Sequence, residues 1–203
     1  MSDYKIINAV SLLLRKTLWE GFENDAELTQ EVPTIDSIAL TNPAEKIGDD
    51  NRRLSVWLYQ VQQNEFLRNV RPTRIPDDVS IVRMPPLALN LFYLLTPSAK
   101  SMEGNQLILG RSMQILHDNP VLPVKSGPDA TKAEEEIRIS MCHRDLRELA
   151  EVWEALQQPY RLSVCYEVRV PRIESTRVQH AGRIADRSFD FQDNPPPQEA
   201  ATS

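Results

Sequence analysis

The sequence predicts an α+β domain, with helices packed on a mixed, mainly antiparallel sheet. Helical apolar stripes and β-type apolar runs both occur, and they fall in segregated stretches rather than in regular strand–helix–strand units. The 203 residues, 41% hydrophobic, suffice for one core. Residues 1–175 are read as that domain and 176–203 as a polar, partly disordered tail, on account of Pro195-Pro196-Pro197 and the small residues after it.

Ile6, Val10, Leu13, Leu14, Leu18 and Phe22 recur at three- and four-residue steps and predict a first helix, with Asp3 as its N-cap. Ile38 and Leu40, ahead of Asn42-Pro43, predict a short strand ending in a turn. Leu54–Val61 and Leu87–Leu95 are apolar on both faces, as expected of strands in the middle of a sheet. Between them, Asn64–Asn69 suits one helical turn, and Pro72, Pro76, Asp77 and Asp78 mark an irregular loop. Residues 105–117 carry a second stripe, Ile108, Leu109, Met113, Ile115 and Leu116, stopped by Asn119-Pro120. Ile137, Ile139 and Met141 alternate with polar residues and predict a strand with one wet face. Leu146, Leu149, Ala150, Trp153 and Leu156 then form a third helical stripe. In the last strand Leu162, Val164, Tyr166, Val168 and Val170 point one way, and Arg161, Ser163, Cys165, Glu167 and Arg169 the other.

A net charge of −6 disfavours nonspecific nucleic-acid binding, although the charge is uneven. The first fifty residues hold 10 acidic and 4 basic groups, the next fifty 3 and 7. The arginines of that second quarter, Arg52, Arg53, Arg68, Arg71, Arg74 and Arg83, are a candidate basic patch for an acidic partner or a nucleic acid, set against the plainer reading of scattered solvated side chains. No apolar run approaches the roughly 20 residues of a membrane span, and Met1–Lys5 shows no secretory leader, so synthesis in the cytoplasm is expected.

The residues of catalysis are sparse. His117 sits at a predicted helix end, where an imidazole complements the last carbonyls and the helix dipole. Cys142-His143 are strand neighbours and point to opposite faces, which suits a core cysteine better than a thiol–base pair. His143-Arg144-Asp145 starts like a kinase catalytic loop, but Ala150 stands where that loop requires Asn. The glycines, at 21, 48, 104, 110, 127 and 182, build no phosphate-binding loop. Cys142 and Cys165, with a predicted helix between them, outline neither a disulfide framework nor a metal-ligand spacing, and the remaining His, Cys and carboxylates add no metal pattern. No enzyme activity, cofactor or metal is expected.

Three stretches together resemble a known family: Pro85–Pro97, Leu109–Leu122 and Leu156–Val168, with Leu54–Arg71 as a weaker fourth. They look like the N-terminal domain of the tail-terminator, or cap, proteins of extracellular contractile injection systems, phage-tail-like particles that include antifeeding prophages and virulence-cassette particles. The resemblance covers roughly residues 1 to 175 and rests on the order and spacing of all the stretches. It implies a phage tail-terminator-like fold and a subunit of a six-membered ring on the last layer of inner tube and sheath, in a particle released from the cell. It implies partners in further copies of the chain, the tube protein and the sheath protein, with no small-molecule substrate, nucleic acid or membrane. Arg68, Arg71, Arg74, Arg111, His117, Tyr160, Arg161 and Arg169 are the candidates for subunit or partner contact. The competing readings are an accessory enzyme or a nucleic-acid-binding adaptor of the same particle. Relatives with further C-terminal domains leave any role of such extensions in doubt for this chain. An exposed edge on the long last strand is expected to accept a sheath strand.

Overall fold

A computed structural model describes residues 4–45, 51–68, 71–75, 78–124 and 135–180, the side chains at 73–75, 78–81, 83, 170–172 and 178–180 excepted. The helices are α1 (Ile6–Glu23), the single turn α2 (Leu28–Glu31), α3 (Met102–Asp118) and α4 (Leu146–Ala155). The strands are β1 (Ile38–Ala39), β2 (Leu54–Gln63), β3 (Thr73–Ile75), β4 (Asp78–Arg83), β5 (Leu87–Pro97), β6 (Val121–Val124), β7 (Glu135–Met141), β8 (Val164–Ile173) and β9 (Val178–His180).

Six strands form one sheet in the order β1-β2-β5-β8-β7-β6, antiparallel except where β1 runs parallel to β2. One face buries Leu54, Val56, Leu91, Tyr93, Leu95, Ile137, Ile139, Tyr166 and Val168 against Ile6, Val10, Leu14, Leu18 and Phe22 of α1 and Ile108, Ile115 and Leu116 of α3. The α1 stripe is thus the one the periodicity predicts, and each such side chain contributes about 1.5–3 kcal/mol on burial. Its N-cap is Lys5, whose side chain makes no capping hydrogen bond, and the expected cap Asp3 lies outside the described residues. Arg111 ties the two helices together, its guanidinium donating to the Gly21 carbonyl at 3.2 Å and to Gln114 Oε1 at 2.8 Å.

The opposite face carries α4. Trp153, 1% exposed, donates its indole N–H to Ser163 Oγ at 3.2 Å, and the Arg144 guanidinium lies 5.8 Å from the centre of the Phe92 ring. Phe92, Leu94 and Cys165 are buried on this side.

Several sequence expectations need correction. β2 and β5 are neighbours, but the centre of the sheet is β5 and β8. β2 lies between β5 and the two-residue β1, with α1 packed near one face and α4 across a cleft from the other. The β8 face that carries Cys165, continued by Ser163 ahead of the strand, lies on the α4 side, with Cys165 3% exposed. The strand begins at Val164, leaving Leu162 outside it and 40% exposed. β5 and β7 flank β8, so the last strand lies inside the sheet rather than at its edge. The segment read as an irregular loop contains β3 and β4, which with β9 make a second, three-stranded antiparallel sheet. The short strand β6 follows α3 where a loop was expected. Beyond residue 175, β9 pairs with β4, while residues 181–203 and the tail expectation attached to them lie outside the described residues.

Candidate partner interface

At one end of the large sheet, a polar chain of side chains holds an exposed aromatic ring in place. β5 sets Asn90 opposite Gln62 of β2 and Arg169 of β8. Asn64 donates from Nδ2 to Asn90 Oδ1 at 2.9 Å, and Asn90 donates from Nδ2 to Glu167 Oε1 at 2.8 Å. The other Glu167 oxygen faces the Arg169 guanidinium at 3.5 Å. Asn64 Oδ1 also accepts from the amides of Phe66 and Leu67, at 3.0 and 3.2 Å, capping the 3-10 turn Glu65–Leu67. Each amide so satisfied is one fewer reason for the turn to open. Phe66 projects from that turn 93% exposed, beside a depression of about 270 Å³ lined by Gln63, Asn90, Phe92, Glu167 and Arg169.

A second cleft, about 340 Å³, separates α4 from β2 and is lined by Trp57, Tyr59, Gln60, Arg144, Glu148 and Val152. It owes its floor to a β-bulge: Leu58 pairs with Tyr93 and Gln60 with Phe92, so Tyr59 is the extra residue. A bulge re-aims a side chain. Tyr59 here stacks obliquely on Trp57 and Phe92, at centroid distances of 6.0 and 6.4 Å, and its hydroxyl stands 3.0 Å from Cys165 Sγ, two strands away. Burial first, then the bond to Cys165, pushes the Tyr59 hydroxyl well above the ordinary tyrosine range. Glu148 is held below the usual carboxylate range by Arg144, whose Nη1 lies 2.7 Å away, and by the Asp145 amide.

A third cleft, about 540 Å³, runs between the end of α3 and β7, lined by Met113, Leu116, His117, Pro120, Ser140, Met141 and Tyr166.

The predicted contact residues scatter over these surfaces. Arg68 and Arg71 are exposed just after the Phe66 turn, Arg169 closes the polar chain at that end, and the backbone of Arg74 lies in β3. His117 is exposed in the last turn of α3, but Asn119 Nδ2 caps the helix by donating to the Ile115 carbonyl at 2.8 Å. Arg161 sits at the other end of the sheet, donating to the Pro97 carbonyl at 3.2 Å, its pKa lowered by burial and by Arg52. Tyr160 beside it is 44% exposed. Arg111 is engaged inside the domain, holding α1 to α3. Phe66 escaped sequence reasoning; its signal was Asn64, a side chain suited to capping a turn, two residues before an aromatic. Among the described residues no three His, Cys, Asp or Glu converge to hold a metal ion, and no helix is long and apolar enough to cross a membrane.

The fold is of the α+β class, and its described surface carries clefts, a presented aromatic ring and exposed basic groups. The chain belongs to the Pvc16 N-terminal domain family, whose model matches residues 7–187. Its fold is similar to that of the sheath/tube terminator, in the extended state, of the extracellular contractile injection system PVC, with a TM-score of 0.59 at 16% identity over 98% of this chain and 67% of that one. It is similar also to the anti-feeding prophage cap, the AFP tube-terminating cap, with a TM-score of 0.54 at 17% identity over 94% of this chain. The chain spans 62% of the length of that cap protein. No curated protein matches it in sequence.

Proposed function

We propose that this chain is a structural cap of a contractile injection particle, a subunit of a six-membered ring that ends inner-tube and sheath polymerisation and anchors the sheath to the tube. The supporting observation is similarity of fold along nearly the whole chain to two terminators of such particles, together with family membership. Tube and sheath are open helical assemblies whose head-to-tail interfaces never close, so their growth needs a ring whose own interface does close. In this reading the chain works without a cofactor and catalyses no reaction. It is made in the cytoplasm and leaves the cell as part of the particle. Its partners are its own copies, the tube protein and the sheath protein, with no role for a small-molecule substrate, nucleic acid or membrane.

The surfaces for this work are Phe66 with Arg68, Arg71 and Arg169 at one end of the sheet, Tyr160 and Arg161 at the other, His117 in the α3–β7 cleft, and Arg74 on β3 of the second sheet. The free strand edge also belongs here, on β2 rather than β8. Among the described residues β1 pairs only with Leu54 and Ser55, so the rest of β2 can accept a partner strand. The arginines after the Phe66 turn meet acidic groups across the ring, a contact that sets register more than affinity.

Gold labelling of an affinity tag on this chain in purified particles tests the assignment. Label confined to the end distal to the baseplate is expected; label along the sheath, at the baseplate or absent from particles contradicts it.

A further inference from the structure

The two cysteines flank α4 in the chain and meet in space. Met141 of β7 pairs with Tyr166 of β8, so the next step of the register sets Cys142 opposite Cys165, and the Cys142 amide donates to the Cys165 carbonyl at 2.8 Å. Residues opposed in a hydrogen-bonded antiparallel pair have Cα atoms about 5.5 Å apart, within the span that a disulfide bridges. Both thiols are free, and the register places them side by side on paired strands.

Their surroundings favour ionisation of one sulfur. The bond from the Cys142 thiol, then the Tyr59 hydroxyl at 3.0 Å and the Arg144 guanidinium, bring the Cys165 thiol down to about 7 against the opposing effect of burial. Cys142 is pushed up by its bond to Cys165 and by burial, and Glu167 adds to that rise. A buried structural cysteine is ordinarily inert; one held as a thiolate beside a second thiol is a nucleophile with its resolving partner already in place.

We propose that Cys142 and Cys165 are a peroxide-sensitive dithiol that closes to an intramolecular disulfide across β7 and β8. The Cys165 thiolate attacks one oxygen of hydrogen peroxide, the O–O bond breaks, hydroxide leaves, and Cys165 becomes a sulfenic acid. The Cys142 sulfur then attacks that sulfur, the S–O bond breaks, and the Cys142 proton leaves with the hydroxyl as water. The two electrons removed from the thiols reduce the peroxide. Cys165 is 3% exposed and Cys142 partly exposed, so the oxidant has to be small and to arrive from the Cys142 side. The bridge closes the segment carrying α4 into a loop, which removes freedom from the unfolded chain and fixes α4 over β2.

The test treats the full chain with hydrogen peroxide at neutral pH, alkylates it with iodoacetamide and digests it without reductant. The expected product is one peptide pair joining Cys142 to Cys165, lighter by two hydrogens and split by dithiothreitol, with a rise in Tm that dithiothreitol reverses. In Cys142→Ser, the sulfenic acid at Cys165 persists and is trapped by dimedone. Two alkylated thiols, a sulfinic acid at Cys142 with no linked peptide, or bridges only between chains would overturn the proposal, and the wild-type digest decides even if the variant fails to fold. Tyr59→Phe moves the pH midpoint of Cys165 alkylation upward; an unmoved midpoint removes Tyr59 from the account.

Discussion

Tyr93 is fully buried on β5, and its hydroxyl meets Ser11 Oγ of α1 at 2.8 Å. Burial pushes its pKa up to about 12, the Ser11 bond opposing that shift. A folded pKa above the unfolded value near 10 means that the folded state holds the proton more tightly. The corresponding stability is complete below about pH 10 and is lost as pH rises through 12. Tyr93→Phe is therefore expected to flatten the fall in urea midpoint between pH 10 and 12, and to cost about 1 kcal/mol at pH 7 for the lost hydrogen bond. Residues of this kind were half legible in the sequence. Periodicity placed Tyr93, Trp153 and the α1 stripe inside, but no periodicity reports a partner 82 residues away. The Asn64–Asn90–Glu167 chain escaped for the same reason, as did the meeting of Cys142 with Cys165 and the engagement of Arg111 with Gly21.

Helix α4 is bounded at both ends by its own sequence. Asp145 and Glu148 form a capping box, in which the Glu148 amide donates to Asp145 Oδ1 at 2.8 Å and the Asp145 amide to Glu148 Oε2 at 3.0 Å. At the far end Gln157 takes φ of 54°, and the amides of Gln157 and Gln158 return to the carbonyls of Glu154 and Trp153 at 2.9 and 3.1 Å, a Schellman closure with glutamine where glycine is usual. Asp145→Ala should lower stability by about 1 kcal/mol, and Gln157→Gly should raise it by about 1 kcal/mol through relief of the left-handed backbone, both read from denaturant midpoints. Elements with a clean apolar period, α1, α3, α4, β5 and β7, were legible. β3, β4 and β9 were not, since their prolines, acids and short lengths imitate a loop, and β6 carries a proline of its own. The alternation of β8 was legible, but not that α4 covers the face that carries Cys165.

At the scale of the whole molecule, strand order decides what is available for assembly, and strand order is set by pairings far apart in sequence. The resemblance pointed to a cap, but only the fold shows that β8 is interior and that Phe66 is held outward on a capped turn. A ring nearly fully exposed in the free chain contributes little to folding, so Phe66→Ala is expected to leave the unfolding free energy within about 0.5 kcal/mol of wild type while particles lose the subunit. Charge reversal at Arg68, Arg71 and Arg74 should likewise spare the fold and impair assembly, with particle yield as the readout; intact assembly would discard the charge contact. The central claim, that this chain ends sheath and tube growth, is tested most directly by negative-stain electron microscopy of particles made with and without its gene. Overlong, ragged or prematurely contracted sheaths, with a broad spread of lengths in its absence, are the predicted result; sheaths of uniform length with normally closed ends would contradict it.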